Sequence, residues 1–431
     1  MIDTGIINMF YFYAIKAKAE VERNRVRLKG IAVDPEVLRQ AVQKAVDRNY
    51  YFGLTPVLNA AGQVFFEKNK KPVEVYPDND TYAVLGTEET NGYLFRVLYT
   101  KDSIGVSHFH ALSDGRGAIA FLVSILYYYL TLTGHTVSPQ GVLCDKTPEE
   151  ASERDILTDQ IPEGLTYKGA DIPGEVFVVP EGNALMKTPY TKKIDIAFPA
   201  KQLLSKAKEY DATPVPFVSV LAGRAIDRVY GVGEQTVTAS VLVDMHEMNH
   251  SRALSNYCSN LYLPLTADVR DGGMKEAVDD QKRWLVESNT PDKLFAKLCE
   301  LKMMEPMMRK TPLNDPQFLK AAMKGDAKVG KARATYFLTN VGKVRFPADM
   351  TEFIDSCDFN SMNTGTNPIL SLMTLGDKGH IYVTQNFEAL DLAEAICAVM
   401  NENAIDAVCT DCGLTRADTV EPARFATVSG E

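Results

Sequence analysis

The segment 103–117 holds the residues whose types and spacing are best suited to chemistry. Its first half alternates as a strand does, and this pattern predicts a strand over 103–110 in which His108 and His110 share one face. Asp114 follows as the start signal of a strongly apolar helix over 115–130. The pattern places a histidine at the end of a strand and an aspartate at the start of a buried helix. Such a junction holds an imidazole firmly while leaving one ring nitrogen free for a substrate.

His110 suits the role of a general base that acts alone. An alcohol or amine is a poor nucleophile until its proton is removed, and an imidazole with a pKa near the working pH can remove it. Asp114 would orient the local structure, and Gly115 leaves room for a ligand to approach the backbone. The same residues also fit a plainer interpretation, because a histidine on an apolar strand face is more often a hydrogen-bonded core residue.

A metal site is the alternative chemistry for this segment. Two histidines at i and i+2 on a strand point the same way, but hydrolases of the metallo-β-lactamase type need Asp and His where this chain has Leu112 and Ser113. Among the other histidines, His246 and His250 form the one pair with ligand-like spacing. We therefore predict no bound metal. The sequence also contains neither a serine-nucleophile elbow nor a glycine-rich nucleotide motif.

The composition is that of an ordinary soluble globular protein. The chain has 431 residues, of which 45% are hydrophobic and 24% charged, and this length predicts two domains. A formal charge of −10 argues against nucleic acid as a partner. Because no run of roughly 18 apolar residues occurs, no membrane span is expected, and the N-terminal residues lack the features of a signal peptide. Seven cysteines, which include a single Cys-x-x-Cys at Cys409 and Cys412, favour a reducing cytoplasm over a disulfide framework.

The distribution of periodic and irregular sequence divides the chain into three segments. Residues 1–150 are expected to form a first lobe that carries the histidine segment, and residues 191–431 a second lobe. Residues 151–190, with several prolines and acidic side chains, are interpreted as a crossover linker between them. An elaborate surface loop is an equally compatible interpretation of the linker. The polar tail from Asn403 onward is expected to be loose.

The order His110-Ala-Leu-Ser-Asp114-Gly115 matches the His-x-x-x-Asp-Gly core (HxxxDG) of the chloramphenicol-acetyltransferase-like superfamily. This superfamily includes CoA-dependent acyltransferases, alcohol acetyltransferases and the condensation domains of nonribosomal peptide synthesis. The extension from Gly115 to Phe121 most resembles the stand-alone bacterial acyltransferases of the alcohol acetyltransferase-like type. The resemblance covers most of the chain and includes four further stretches, Asp34-Pro35, Thr213-Pro214, Ser259-Asn260 and Thr339-Asn340-Val341-Gly342.

The resemblance implies an α/β fold (α+β, two-layer) of two similar lobes, each a mixed sheet flanked by helices, with a tunnel between them. His110 would stand midway along the tunnel and take the proton of the acceptor, which then attacks a thioester carbonyl. Asp114 would be structural and held by a charge partner. Gly115 and Asn260 would contact the substrate, Asn260 as a donor to the oxyanion. No permanently bound cofactor is implied, because acyl-CoA would be the co-substrate and a small alcohol or amine the acceptor.

One departure from the resemblance concerns the partner of the motif aspartate. Related sequences commonly place an arginine after a Val-Asp-Met-like strand to pair with it, but here Met245 is followed by His246. Another cation, Arg116 or Arg252, would then pair with Asp114, or the site is tuned differently. Two alternatives to a CoA-dependent acyltransferase stay open. One is a stand-alone condensation enzyme that uses acyl carrier protein thioesters, and the other is an inactive binding protein of the same fold.

Overall fold

The structure is a computed structural model that describes residues 2–3, 5–14, 22–79, 83–166, 172–180, 190–313, 333–347, 349–361 and 367–416. Its strands are β1 (Glu22–Leu28), β2 (Leu54–Leu58), β3 (Val64–Lys68), β4 (Val75–Pro77), β5 (Phe95–Tyr99), β6 (Ser103–His108), β7 (Tyr190–Pro199), β8 (Val237–Asp244), β9 (Cys258–Leu265), β10 (Tyr336–Lys343), β11 (Ile354–Ser361), β12 (Ile369–Leu375), β13 (Lys378–Gln385) and β14 (Val408–Arg416). Its helices are α1 (Ile6–Ala14), α2 (Pro35–Arg48), α3 (Gly115–Leu132), α4 (Ala200–Glu209), α5 (Pro214–Tyr230), α6 (His246–Asn249), α7 (Ala267–Asp271), α8 (Met274–Ser288), α9 (Pro291–Met308) and α10 (Asp391–Glu402).

Five strands form the first sheet, in the order β11-β1-β6-β5-β4. β4 and β5 run parallel while the other neighbours run antiparallel, so the sheet is mixed. Helices α2 and α3 pack together beside the core of this sheet. α2 begins after Asp34, whose Oδ1 accepts hydrogen bonds from the N–H groups of Glu36 and Val37. Its apolar stripe, which includes Leu38, is buried in the core of the first sheet.

Seven strands form the second sheet, in the order β14-β7-β13-β12-β10-β8-β9. β10 runs parallel to both β8 and β12, and the remaining neighbours run antiparallel. Helices α4, α5, α8 and α10 contribute apolar side chains to a second core beside this sheet. The predicted architecture of two sheet-rich lobes, with mixed sheets flanked by helices, is confirmed.

The tail of the chain is ordered further than its polar sequence indicates. Residues 408–416, expected to be loose, form β14 and pair antiparallel with β7 at the edge of the second sheet. An edge strand has neighbours on one side only and therefore needs little apolar sequence. Lys192 also forms an ion pair of 2.6 Å with Asp411 on this strand. Cys409 and Cys412 lie here as free thiols, and burial raises the pKa of Cys409 to about 11.

The first sheet takes one strand from the distal half of the chain. β11 pairs antiparallel with β1, so β1 lies between β6 and β11. Alternation in β1 places Val26 and Leu28 in the core beside α2 and α3. The other face of the sheet approaches β7 of the second sheet, where Lys193 forms an ion pair of 2.6 Å with Asp358 of β11. The two sheets are therefore tied together at β11, and the lobe boundaries at 150 and 190 stay a prediction.

α3 is the central helix of the first core. Phe121 and Leu126 on this helix are fully buried. Among the described residues, α3 is the one helix long and apolar enough to cross a membrane by length and composition, and 67% of its length is buried inside the fold. A helix that is apolar on nearly all sides is typical of a buried core position, so packing accounts for its composition.

Residues 144–155 are fastened to the end of α2 by a buried arginine. The guanidinium of Arg48 donates to both carboxylate oxygens of Glu153, at 2.7 and 2.9 Å. It also donates to the carbonyl oxygens of Cys144 at 3.2 Å and Pro148 at 3.1 Å. Both charged side chains are only 6% exposed. This bidentate pair holds the start of the interlobe connection against the first lobe.

Candidate active site

His110 lies in the turn between β6 and α3 rather than on the strand. β6 ends at His108, and the N–H of Leu112 then donates to the carbonyl of Phe109 at 2.9 Å. The prediction of a strand through residue 110, with both histidines on one face, is therefore wrong. The side chain of Phe109 is fully buried and its N–H donates to the carbonyl of Leu94 at 2.9 Å. This anchor fixes the point at which the chain leaves the sheet.

Tyr11 of α1 covers one face of the His110 imidazole. The two rings are stacked, with centroids 4.0 Å apart and planes inclined by 8°. The His110 residue is half-buried. Its Nδ1 is buried and makes no hydrogen bond of good geometry with the described residues. That Nε2 meets a substrate, and that a tunnel leads to it, both stay predictions.

The two histidines of the segment are both held in the neutral form. Burial lowers the pKa of His108 to about 3, and its Nε2 lies 3.0 Å from the carbonyl oxygen of Ser113. Burial also lowers the pKa of His110, although the negative charge of Asp114 opposes this shift. His108 is thus a core residue, while His110 is a neutral imidazole that can accept a proton near neutral pH.

The shifted pKa of His110 predicts a measurable titration. In an NMR titration, the His110 ring is expected to protonate with a midpoint below the ordinary value of 6.5, because burial disfavours the imidazolium. The signal is assigned by its absence from the spectrum of the His110→Gln variant. A midpoint at or above 6.5 for His110 would contradict the described environment.

Asp114 caps α3 and joins the first lobe to a loop of the second. Its Oδ1 accepts from the N–H of Gly117 at 3.0 Å, and its Oδ2 accepts from the N–H of Tyr257 at 2.9 Å. The carboxylate is nearly fully buried. The prediction that Arg116 or Arg252 pairs with Asp114 is wrong, because each of these arginines pairs with a different carboxylate. Two backbone N–H groups satisfy Asp114 in place of an arginine.

The displaced arginines have partners of their own. Arg116 forms an ion pair of 2.7 Å with Asp244, and Arg252 forms one of 2.7 Å with Glu150. His246 occupies the position at which related sequences carry an arginine, and its Nδ1 hydrogen-bonds with Asp244. Burial lowers the pKa of His246, but the bond to Asp244 and the charges of Asp114 and Asp244 outweigh it, so the net shift is upward. His246 thus responds to the charge of Asp114 without pairing with it directly.

The two hydrogen bonds of Asp114 predict that replacing it by the isosteric asparagine lowers the stability of the protein. Asp114→Asn is expected to lower the free energy of unfolding by about 1.5–3 kcal/mol, since an amide has one oxygen and cannot accept from both N–H groups. Asp34→Asn is the matched control. Both of its cap bonds use the single oxygen Oδ1, and asparagine caps helices as well as aspartate does. Urea unfolding measures both variants, and equal losses would refute the two-oxygen role of Asp114.

Asn256 of the second lobe contacts the backbone of His110 itself. Its Nδ2 donates to the carbonyl oxygen of His110 at 2.6 Å and to Oδ1 of Asn8 at 2.7 Å. Both asparagines are almost completely buried. Nδ2 of Asn8 and Oδ1 of Asn256 have no hydrogen-bond partners among the described residues. Asn256 thus links Asn8 of α1 to the backbone of His110.

Asn260 and Gly115 are not among the residues that form the hydrogen bonds of Asn256. Asn260 is four residues beyond Asn256, inside β9, where its Nδ2 donates to Oγ of Ser240 at 3.0 Å. Its role in substrate binding stays a prediction. Gly115 is the first residue of α3, and its contact with substrate stays a prediction as well. The glycine that packing requires is Gly117, because a Cβ there would meet Leu254 O at 2.4 Å.

The residues that sequence reasoning missed come from distant parts of the chain. Asn8 and Tyr11 belong to α1, about 100 residues before His110, and a polar run before β9 is the sole signal for Asn256.

His246 lines an open pocket with Arg116, Glu247, His250, Ser251 and Arg252. Within the described ranges, no three His, Cys, Asp or Glu side chains are grouped so that they could hold a metal ion. The arrangement can therefore supply a neutral base and buried amide donors.

Several solved structures share this architecture over almost their entire length. TRI101 of F. sporotrichioides, complexed with coenzyme A and T-2, superposes with a TM-score of 0.60 at 10% identity, covering 95% of this chain and 99% of that chain. TRI3 trichothecene 15-O-acetyltransferase from Fusarium sporotrichioides gives 0.59 at 10% identity, covering 93% and 94%. The epimerization domain from the third module of tyrocidine synthetase B gives 0.56 at 13% identity, covering 93% and 95%. No protein-family model and no curated protein matches the sequence.

These similarities establish the fold. The chain has the fold that these acetyltransferases and the epimerization domain share, as the resemblance of its HxxxDG segment predicts. The structures that share this fold include an acetyltransferase and an epimerization domain.

Proposed function

We propose that this chain, whose fold is shared by acetyltransferases and condensation domains, is a CoA-dependent O- or N-acyltransferase with His110 as its general base. The observation that carries the proposal is the state of that imidazole. It lies at the junction of β6 and α3, half-buried and stacked on Tyr11, and burial lowers its pKa so that the neutral form is favoured. A neutral imidazole with one accessible nitrogen is the group that acceptor deprotonation requires.

The proposed reaction is the transfer of an acyl group from a thioester to a hydroxyl or amine. Nε2 of His110 takes the acceptor proton as the acceptor oxygen or nitrogen bonds to the thioester carbonyl carbon. The carbonyl oxygen becomes an oxyanion. When the tetrahedral intermediate collapses, the C–S bond breaks and the imidazolium returns its proton to the leaving thiolate. The products are an ester or amide and a free thiol, and His110 is neutral again.

Asn8 is our candidate for the donor that stabilises the oxyanion. Its Nδ2 is a buried N–H donor without a partner, and its Oδ1 is fixed by Asn256, which also holds the backbone of His110. Tyr11, which stacks on the imidazole, lies three residues further along α1 and hence on the same side of that helix. A preorganised amide donor is the kind of group that stabilises a tetrahedral intermediate. The amide nitrogen of Asn260 is already engaged with Ser240.

Acyl-CoA is the donor we favour, and a carrier-protein thioester is the second candidate. A structural neighbour is complexed with coenzyme A, while others are domains of peptide synthetases and a polyketide synthase. We place the reaction in the cytoplasm, consistent with seven free cysteines. The acceptor is expected to be a small alcohol or amine.

The deciding experiment offers the purified chain acetyl-CoA, longer acyl-CoAs and an acylated carrier protein, each with a panel of alcohols and amines, and measures free thiol. Acceptor-dependent thiol release from acyl-CoA supports the proposal. Release from the carrier protein alone supports a stand-alone condensation enzyme. Acyl-CoA binding with no release from any donor supports an inactive binding protein and overturns the proposed activity.

A further inference from the structure

A small pocket lies on the face of the first sheet that is opposite α2 and α3. It is lined by residues of β1, β6 and β11 and of the turn before β6, namely Arg25, Arg27, Thr100, Ser103, Ser356, Cys357 and Asp358. Its volume is about 120 Å³. Sites that bury a whole small molecule are typically about 300 Å³ or more, so this pocket suits a single ionic group rather than an entire ligand.

The pocket stands at the outer end of a row of arginines on β1. Arg23, Arg25 and Arg27 alternate along the strand and so share one face, which we call the arginine row. The register places Arg23 opposite Ser107 and Arg27 opposite Ser103. The arginine row therefore begins beside the end of β6 that leads to His110, and it ends at the pocket. The distance from Ser103 to the end of β6 is about 17 Å at the rise of an antiparallel strand.

Two carboxylates, Asp78 and Asp358, form ion pairs with cations in and around the pocket. Asp78 pairs with Arg23 at 3.1 Å and with Arg25 at 3.4 Å. Asp358 pairs with Arg25 at 3.2 Å and with Lys193 at 2.6 Å.

Arg27 is the cation of the row with the weakest compensation. Its one ion pair with the described part of the chain is a contact of 3.8 Å with Asp102, and 58% of its side chain is exposed. Surface pairs of this kind contribute little. The guanidinium thus keeps its hydrogen-bond donors available at the mouth of the pocket, with the hydroxyl of Ser356 in the same lining.

We infer that this pocket binds a phosphate-class anion, held by the guanidinium groups of Arg27 and Arg25 and by the hydroxyl of Ser356. Guanidinium forks match the oxygen geometry of phosphate and carboxylate groups. The carboxylate of Asp358, which also lines the pocket, is neutralised by Arg25 and Lys193 and so opposes the anion only weakly. The site is inferred independently of the proposed reaction. Its use by a substrate of that reaction rests on the proposed function.

The test is direct binding of inorganic phosphate to the full chain by calorimetry, with sodium chloride at equal ionic strength as the blank. Arg27→Gln is expected to weaken phosphate binding at least about tenfold, since a charged hydrogen bond is lost. Ser356→Ala is expected to weaken it by about two- to tenfold. Arg39→Gln is the matched control, because Arg39 is an exposed arginine on α2 that pairs with Glu36 far from the pocket. It should bind as the wild type does.

Competition identifies the source of the anion. Displacement of phosphate by CoA but not by succinate assigns the pocket to a phosphate of the acyl donor, and displacement by succinate assigns it to an acidic acceptor. If neither displaces phosphate, the pocket is a site for the free anion. Binding that is no stronger than in chloride, or that is equal in wild type and Arg27→Gln, would overturn the inference. These readouts need no turnover, so they stand apart from the thiol-release assay.

Discussion

Removing the imidazole at position 110 is expected to slow thiol release by at least about 100-fold. General-base catalysis contributes about 10²–10⁴-fold, and the His110→Ala variant retains no other group with an accessible ring nitrogen at this junction. The fold should survive, because His110 lies in a turn and contributes mainly its stack on Tyr11. Steady-state turnover under saturating donor and acceptor measures the effect. Addition of free imidazole is expected to restore part of the activity of this variant, since the ring leaves a slot against Tyr11.

Two further variants show whether the loss belongs to the base. His135→Ala removes an imidazole that packs on Phe353, 4.8 Å between centroids, and should leave turnover unchanged. Asn8→Ala should lower turnover as well, by the loss of an oxyanion donor, but free imidazole should not rescue it. Wild-type turnover in folded His110→Ala would exclude His110 as the base.

Arg48→Met is expected to lower the free energy of unfolding by about 3–5 kcal/mol. The substitution leaves the carboxylate of Glu153 buried without its partner, and an uncompensated buried charge has a cost of this size. Arg48 also supports carbonyl oxygens of Cys144 and Pro148, which lose their donors in the variant. Chemical denaturation measures the change.

A surface pair with the same geometry provides the control for Arg48. Arg228 donates to both carboxylate oxygens of Glu402, at 2.8 and 2.7 Å, but both side chains are about half exposed. Arg228→Met should therefore change stability little. A comparable loss in the two variants would show that burial does not set the cost.

The connection anchored by Arg48 also reaches the active-site loop. Ser251 donates to the carbonyl of Ser152 at 3.3 Å, and Arg252 pairs with Glu150 at 2.7 Å. This loop continues to Asn256, which holds the backbone of His110. A loosened connection should therefore raise the KM of Arg48→Met before the protein unfolds.

The sequence predicts the local elements of the site better than their contacts. The helix start at Asp114 is correct, because the capping residue and the apolar run are both local signals. The end of β6 is wrong by two residues, since the alternation continues to His110 while Phe109 anchors the chain and turns it. Boundaries of this kind depend on tertiary packing, which alternation alone does not contain.

Contacts from remote segments account for most of what the sequence does not reveal. Residues 6–14 are almost uniformly apolar and show no helical stripe, so nothing local identifies α1 or brings Tyr11 onto His110. The alternatives for the partner of Asp114 fail for a related reason. Arginines are abundant and nearby in sequence, but the carboxylate is satisfied by the N–H groups of Gly117 and Tyr257, which no side-chain pattern records.

The position of β11 has a consequence for synthesis of the protein on the ribosome. Arg25 and its ion-pair partner Asp358 are separated by 333 positions in the chain, so β1 waits with one open edge until the residues of β11 have been made. An unpaired strand edge is a template for association with other chains. The first lobe should therefore depend on the arrival of the distal segment, or on a chaperone, rather than mature by itself during translation.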